Sequence, residues 1–95
     1  MGEFGRTPRI NANAGRDHWP AVNNVLLSGG DYQMGQVIGA TDNKAAKVVE
    51  APYRPQSVLT MIYHHLCIDP ALAFADYSGR PRYVLEERRP IAELL

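Results

Sequence analysis

The chain has 95 residues, of which 45% are apolar and 21% charged, as is typical of a globular protein. Ten basic residues balance ten acidic ones, and a net charge of zero argues against a nucleic-acid-binding surface. No apolar run approaches the roughly 20 residues that a membrane span needs, and no signal-peptide-like stretch opens the chain. The single cysteine, Cys67, excludes an internal disulfide and a paired-cysteine metal site.

The N-terminal half predicts loops and short strands. Three Gly, two Pro and two Asn among the first twenty residues indicate a loop-rich N-terminus. Two apolar runs, Val25–Ser28 and Gly35–Gly39, are each predicted as a short strand that ends in a turn. The segment Ala45–Val49 is either an edge strand or irregular. No internal repeat is visible.

The C-terminal half contains the clearest element. Apolar residues at positions 58, 61, 62 and 66 predict one amphipathic helix over Pro55–Cys67. Proline suits its first turn, and the Asp-Pro pair at 69–70 ends it. A turn at Asp76–Gly79, a weak strand at Tyr83–Leu85 and a helical turn within Pro90–Leu95 complete the pattern. These elements indicate an α/β fold with a thin core, which we do not expect to fold well alone.

Polar side chains concentrate in two glycine-containing clusters, Glu3–Arg6 and Gly15–Pro20. Aspartate and histidine ligate borderline divalent ions, and the Arg6 and Arg16 guanidinium groups suit phosphate or sulfate. A metal together with an arginine is a common arrangement for hydrolysing an anionic ester. The alternative is that the Asp17–His18 pair only caps a turn.

Other chemically capable residues have simpler interpretations. His64 and His65 are helical neighbours about 100° apart, so one is expected to face solvent and the other to pack. Cys67 is expected to be a small buried thiol. Trp19 is expected to be a structural plug beside the loop rather than a platform for a ligand.

Four strings, in this order, carry a family resemblance: MGEFGRTP at 1–8, GRDHWP at 15–20, QVIGATD at 36–42 and IYHHLCIDP at 62–70. Together they resemble the C-terminal part of the bacterial sulfatase-like domain-of-unknown-function family fifteen-oh-one, in the alkaline phosphatase superfamily. The resemblance extends from Met1 to Leu95. One departure is Cys67, which stands where a helix-ending glycine is expected, so that the left-handed cap is expected to be lost or strained.

The resemblance implies a C-terminal fragment of an alkaline-phosphatase-like sandwich, with 1–95 a single partial domain of a larger one. It implies metal-dependent hydrolysis of sulfate or phosphate esters, with Glu3, Asp17 and His18 as ligands of zinc, calcium or manganese. In that case Arg6 and Arg16 would bind the ester anion. Intact relatives look exported, whereas the chain itself shows no localisation signal and no indication of protein partners. The alternative is a catalytically silent structural segment or a non-functional truncated protein.

Overall fold

The computed structural model describes residues 1–95 as three antiparallel strand pairs and one α-helix. The pairs are β1 (Gly5–Arg6) with β2 (His18–Trp19), β3 (Ala40–Thr41) with β4 (Val48–Glu50), and β5 (Ala73–Ala75) with β6 (Pro81–Tyr83). Helix α1 spans Pro55–His65, and a 3₁₀ turn at Ala92–Leu94 follows β6. The chain is therefore a mixed α/β structure with short strands.

The same loop closes all three strand pairs. It begins with Asn11, Asp42 or Asp76, whose Oδ1 accepts hydrogen bonds from the backbone N–H groups two and four residues further on, at 2.8–3.2 Å. The fourth residue of each loop has a left-handed φ of 54–78° and donates its N–H to the carbonyl of the first. The three turns therefore share their inner hydrogen bonds, but the N–H of the first residue closes onto the carbonyl four residues on at Asn11 and Asp76 and five residues on at Asp42, where the β3–β4 register shifts. The Asp42 and Asp76 turns directly follow β3 and β5 and join strands that are only two or three residues long.

The helix begins at the predicted Pro55 and ends at His65, two residues before the predicted end at Cys67. Pro55 occupies the first turn, where its missing N–H costs no hydrogen bond. At the other end, Cys67 N–H donates to His64 O at 3.1 Å, and Ile68 N–H donates to Tyr63 O at 2.9 Å. These two bonds are the Schellman motif. Cys67 adopts the left-handed φ of 59° that the motif requires, so the strained cap predicted at this position is confirmed.

Two compact units are present, an N-terminal unit (Met1–Gly29 with Met34–Pro52) and a C-terminal unit (Gly30–Gln33 with Tyr53–Leu95). The buried apolar residues, Met61, Leu85, Ile91 and Leu94, all belong to the C-terminal unit. Met61 is 1% exposed, and its Sδ accepts the Ile91 N–H at 3.3 Å. No residue of the N-terminal unit is buried, so polar contacts and turn geometry hold it.

Several sequence-based expectations are wrong. Val25–Ser28 and Gly35–Gly39 are not strands, and Leu26 and Val37 within them are 90% and 97% exposed. The expected N-terminal loop contains β1 and β2. Cys67 is exposed rather than buried, as are its neighbours Leu66 and Ile68 at this end of the helix.

The length of the helix decides whether it could cross a membrane. Helix α1 has 11 residues, and no helix combines the length and apolar character needed to cross a bilayer.

Candidate functional site

The β1–β2 pair brings the two predicted polar clusters together. Its register sets Gly5 opposite Trp19 and Arg6 opposite His18. Beyond the strands, the Thr7 N–H donates to Asp17 O at 3.0 Å and extends the pairing by one bond. Two clusters about ten residues apart in sequence therefore share one hairpin.

Gly5 makes this hairpin possible because backbone passes directly over it. A Cβ at Gly5 would collide with the carbonyl oxygen of Val22 and would touch that of Trp19. This close approach explains why the motif at 1–8 has glycine at this position.

One face of the hairpin combines Phe4, Arg6 and His18. The rings of Phe4 and His18 lie 4.0 Å apart between centroids with an interplanar angle of 39°. The Arg6 guanidinium carbon lies 6.0 Å from the centre of the Phe4 ring, and Arg6 Nη1 donates to Arg16 O at 3.4 Å. The exposed imidazole and the guanidinium are thus neighbouring hydrogen-bond donors on a solvent-facing surface, an arrangement suited to an anion.

Arg16 and Asp17 instead brace the hairpin loop. Arg16 Nη1 donates to the carbonyls of Thr7 and Pro8 at 2.8 and 3.2 Å. Asp17 Oδ1 accepts from Asn11 Nδ2 at 3.1 Å, and the Asp17 N–H donates to Thr7 Oγ1 at 3.1 Å. In this structure their side chains support the loop that positions Arg6 and His18.

The three predicted metal ligands do not form one donor set here. Asp17 and His18 are consecutive in extended chain, where neighbouring side chains point to opposite faces. Glu3 is exposed and precedes β1 by two residues. No group of three or more His, Cys, Asp and Glu side chains is placed to hold a metal.

A second polar cluster lies in the C-terminal unit. Tyr32 Oη donates to Met61 O at 2.6 Å and lies 3.2 Å from His64 Nδ1. His64 and His65 are both exposed, with ring centroids 6.1 and 6.4 Å from that of Tyr32, so the expectation that one packs is wrong. They line a cleft of about 270 Å³ with Gly30. Nothing in the sequence near Tyr32 indicated this contact, since it joins residues about thirty positions apart.

The fold and this site define a mixed α/β protein whose β1–β2 hairpin presents an arginine beside a histidine. The chain belongs to the family described as "Protein of unknown function (DUF1501)", whose model matches residues 1–95. No curated protein and no solved structure matches the chain. The family resemblance read from the four strings is therefore confirmed at the level of the family.

Proposed function

We propose that the chain is part of a protein that binds a sulfate or phosphate ester, and that the β1–β2 hairpin presents Arg6 and His18 to the anion. This proposal includes the alkaline-phosphatase-like sandwich, with residues 1–95 as one partial domain of it. Its support is the resemblance of the strings at 1–8 and 15–20 to sulfatase-like proteins, and the register that sets Arg6 opposite His18.

The pairing of Arg6 with His18 is the observation that carries the proposal. A guanidinium offers a fork of donors that matches the spacing of two oxygens on sulfate or phosphate. A histidine beside it adds a directed N–H donor. The Phe4 ring packs against the His18 ring, so the imidazole has less rotamer freedom to lose when an anion binds.

The resemblance also implies zinc, calcium or manganese at Glu3, Asp17 and His18. These side chains do not fit one ion in this arrangement, because Asp17 and His18 point to opposite faces of the hairpin. Anion binding by Arg6 and His18 is therefore proposed without a metal. We expect the isolated chain to bind these metals weakly and to hydrolyse no ester.

A catalytically silent packing segment is the second candidate, and a specific observation favours it. Leu26 and Val37 are almost fully exposed, although both belong to apolar runs. Arg16 and Asp17 are engaged within their own loop rather than turned toward a ligand. A chain that only packs would show these features and would bind no anion at Arg6.

Titration of the full chain with sodium sulfate, monitored by the NMR signals of the His18 ring, separates the two candidates. We expect saturable shifts that sodium chloride of equal ionic strength does not produce. Arg6→Gln should weaken sulfate binding about two- to fivefold, the usual effect of one exposed charged contact. Arg80→Gln, which removes the same charge in the C-terminal unit, should leave the titration unchanged. Equal responses to sulfate and chloride would refute anion binding and support the packing segment.

A further inference from the structure

A cleft of about 540 Å³ lies within the N-terminal unit on the Trp19 side of β2. Its wall is formed where the Trp19 Nε1–H donates to Ala46 O at 2.9 Å, which ties β2 to the loop between β3 and β4. The lining residues are Thr7, Pro8, Arg9, Trp19, Lys44 and Ala46.

The lining combines flat apolar surface with positive charge. The half-buried indole of Trp19 and the ring of Pro8 are apolar walls, while the exposed Arg9 and Lys44 are the charged members. No carboxylate belongs to the lining, although acidic and basic residues are equal in number over the chain. The cleft is therefore a local concentration of positive charge beside an aromatic ring.

The volume and the charge together define a ligand. Sites for small molecules occupy about 300–1,000 Å³ and combine apolar walls with a few placed polar groups. An indole face favours another planar ring, and two cations favour an anionic substituent on that ring. A free inorganic anion would leave the apolar walls unused, and a neutral ring would leave the two cations unpaired.

We propose that this cleft binds a small aromatic anion, a single ring that carries one sulfonate or carboxylate group. The ring packs against Trp19 and Pro8, and the anionic group contacts Arg9 and Lys44. This site is separate from the Arg6–His18 face, because successive residues of β2 send His18 and Trp19 to opposite sides of the hairpin.

Trp19 is the only tryptophan of the chain, so its fluorescence reports on the site directly. The full chain is titrated with benzenesulfonate, and with methanesulfonate and benzyl alcohol as the anion without the ring and the ring without the charge. We expect a saturable change in Trp19 emission with benzenesulfonate that neither control produces. Saturation by either control at the same concentrations would overturn the proposal, as would no response to benzenesulfonate.

Substitutions test the role of the two cations. Arg9→Gln and Lys44→Gln should each weaken benzenesulfonate binding about two- to fivefold. Arg9→Lys and Lys44→Arg keep the positive charge and should retain most of the affinity for benzenesulfonate. Lys47→Gln is the matched control, since it removes a nearby charge outside the lining, and an equal loss there would overturn the assignment. An unchanged indole N–H resonance identifies folded variants.

The two proposals fail separately. The sulfate titration is read at His18, whereas the benzenesulfonate titration is read at Trp19. Loss of either response leaves the other measurement intact.

Discussion

The three loops of one geometry allow an internally controlled test of backbone strain. Their fourth residues are Ala14, Ala45 and Gly79, with φ values of 58°, 54° and 78°. Alanine is strained at such a φ, and glycine is not. We therefore expect Ala45→Gly to stabilise the β3–β4 hairpin and Gly79→Ala to destabilise the β5–β6 hairpin.

The magnitude follows from two opposing contributions. A non-glycine residue in the left-handed region costs about 1–2 kcal/mol. The greater freedom of glycine in the unfolded chain offsets about 0.4–1 kcal/mol of that. The net gain for Ala45→Gly is thus about 0.5–1 kcal/mol, or a two- to fivefold change in the local opening equilibrium. For Gly79→Ala the loss is of similar size and comes from φ alone, since nothing lies within 4 Å of a Cβ built there.

Amide hydrogen exchange measures this opening without requiring a cooperative global transition. The reporters are the N–H groups of Asp42 and Asp76, which close their loops onto the Lys47 and Arg80 carbonyls at 3.0 and 2.8 Å. Asp42 exchange should slow in Ala45→Gly, and Asp76 exchange should accelerate in Gly79→Ala.

The control substitution is Ala12→Gly, in the β1–β2 loop. Ala12 has no positive φ, so glycine there adds only unfolded-state freedom and should accelerate exchange of the Asn11 N–H. If Ala45→Gly accelerates exchange as Ala12→Gly does, the strain argument is refuted.

Three further substitutions have definite expected outcomes. Cys67→Gly should relieve the strained helix cap and raise the midpoint temperature at which the helix melts by about 2–8 °C, whereas Cys67→Ala should not. Circular dichroism under reducing conditions measures both midpoints. Gly5→Ala should disrupt the β1–β2 pair because its Cβ collides with the Val22 carbonyl, so loss of the cross-strand nuclear Overhauser effects is expected, and retention of them would contradict the close approach. The pKa of the Asp76 carboxyl is lowered below its ordinary 3.8, and the largest cause is the hydrogen bond that the carboxylate accepts from the Arg80 backbone N–H. The carboxylate therefore stabilises its turn above that value and loses this effect as the pH falls through the lowered pKa, so Asp76→Asn should remove the acid dependence of exchange in this hairpin.

The helix was predictable because its signals are local. Pro55 at the start, the Asp-Pro pair at 69–70 after the end and the apolar spacing all act within one or two turns. Even here only part of the apolar stripe is buried, since Met61 is covered whereas Ile62 and Leu66 are about half exposed. Periodicity locates a helix, but burial depends on what packs against it.

The two apolar runs at 25–28 and 35–39 show the opposite case. An apolar run becomes a strand only where another strand accepts its hydrogen bonds and a layer covers its side chains. Neither condition is met around Leu26 and Val37, so both runs remain irregular. The strands that do form are too short to show any alternation. Their register comes from Asn11, Asp42 and Asp76, whose shared role is hidden because the residues that follow them differ.

The candidate site was predictable in composition but not in arrangement. Sequence proximity grouped Asp17, His18 and Trp19, yet in extended chain neighbours in sequence are not neighbours in space. The hairpin pairs His18 with Arg6 and gives Trp19 to a cleft with Arg9. Placing His18 and Trp19 on opposite faces exposes no core, because the N-terminal unit buries no residue. Side-chain hydrogen bonds to backbone carbonyls hold this unit instead. Polar side chains on such a hairpin remain available for ligands on both faces, which is why one short ladder supports two distinct binding proposals.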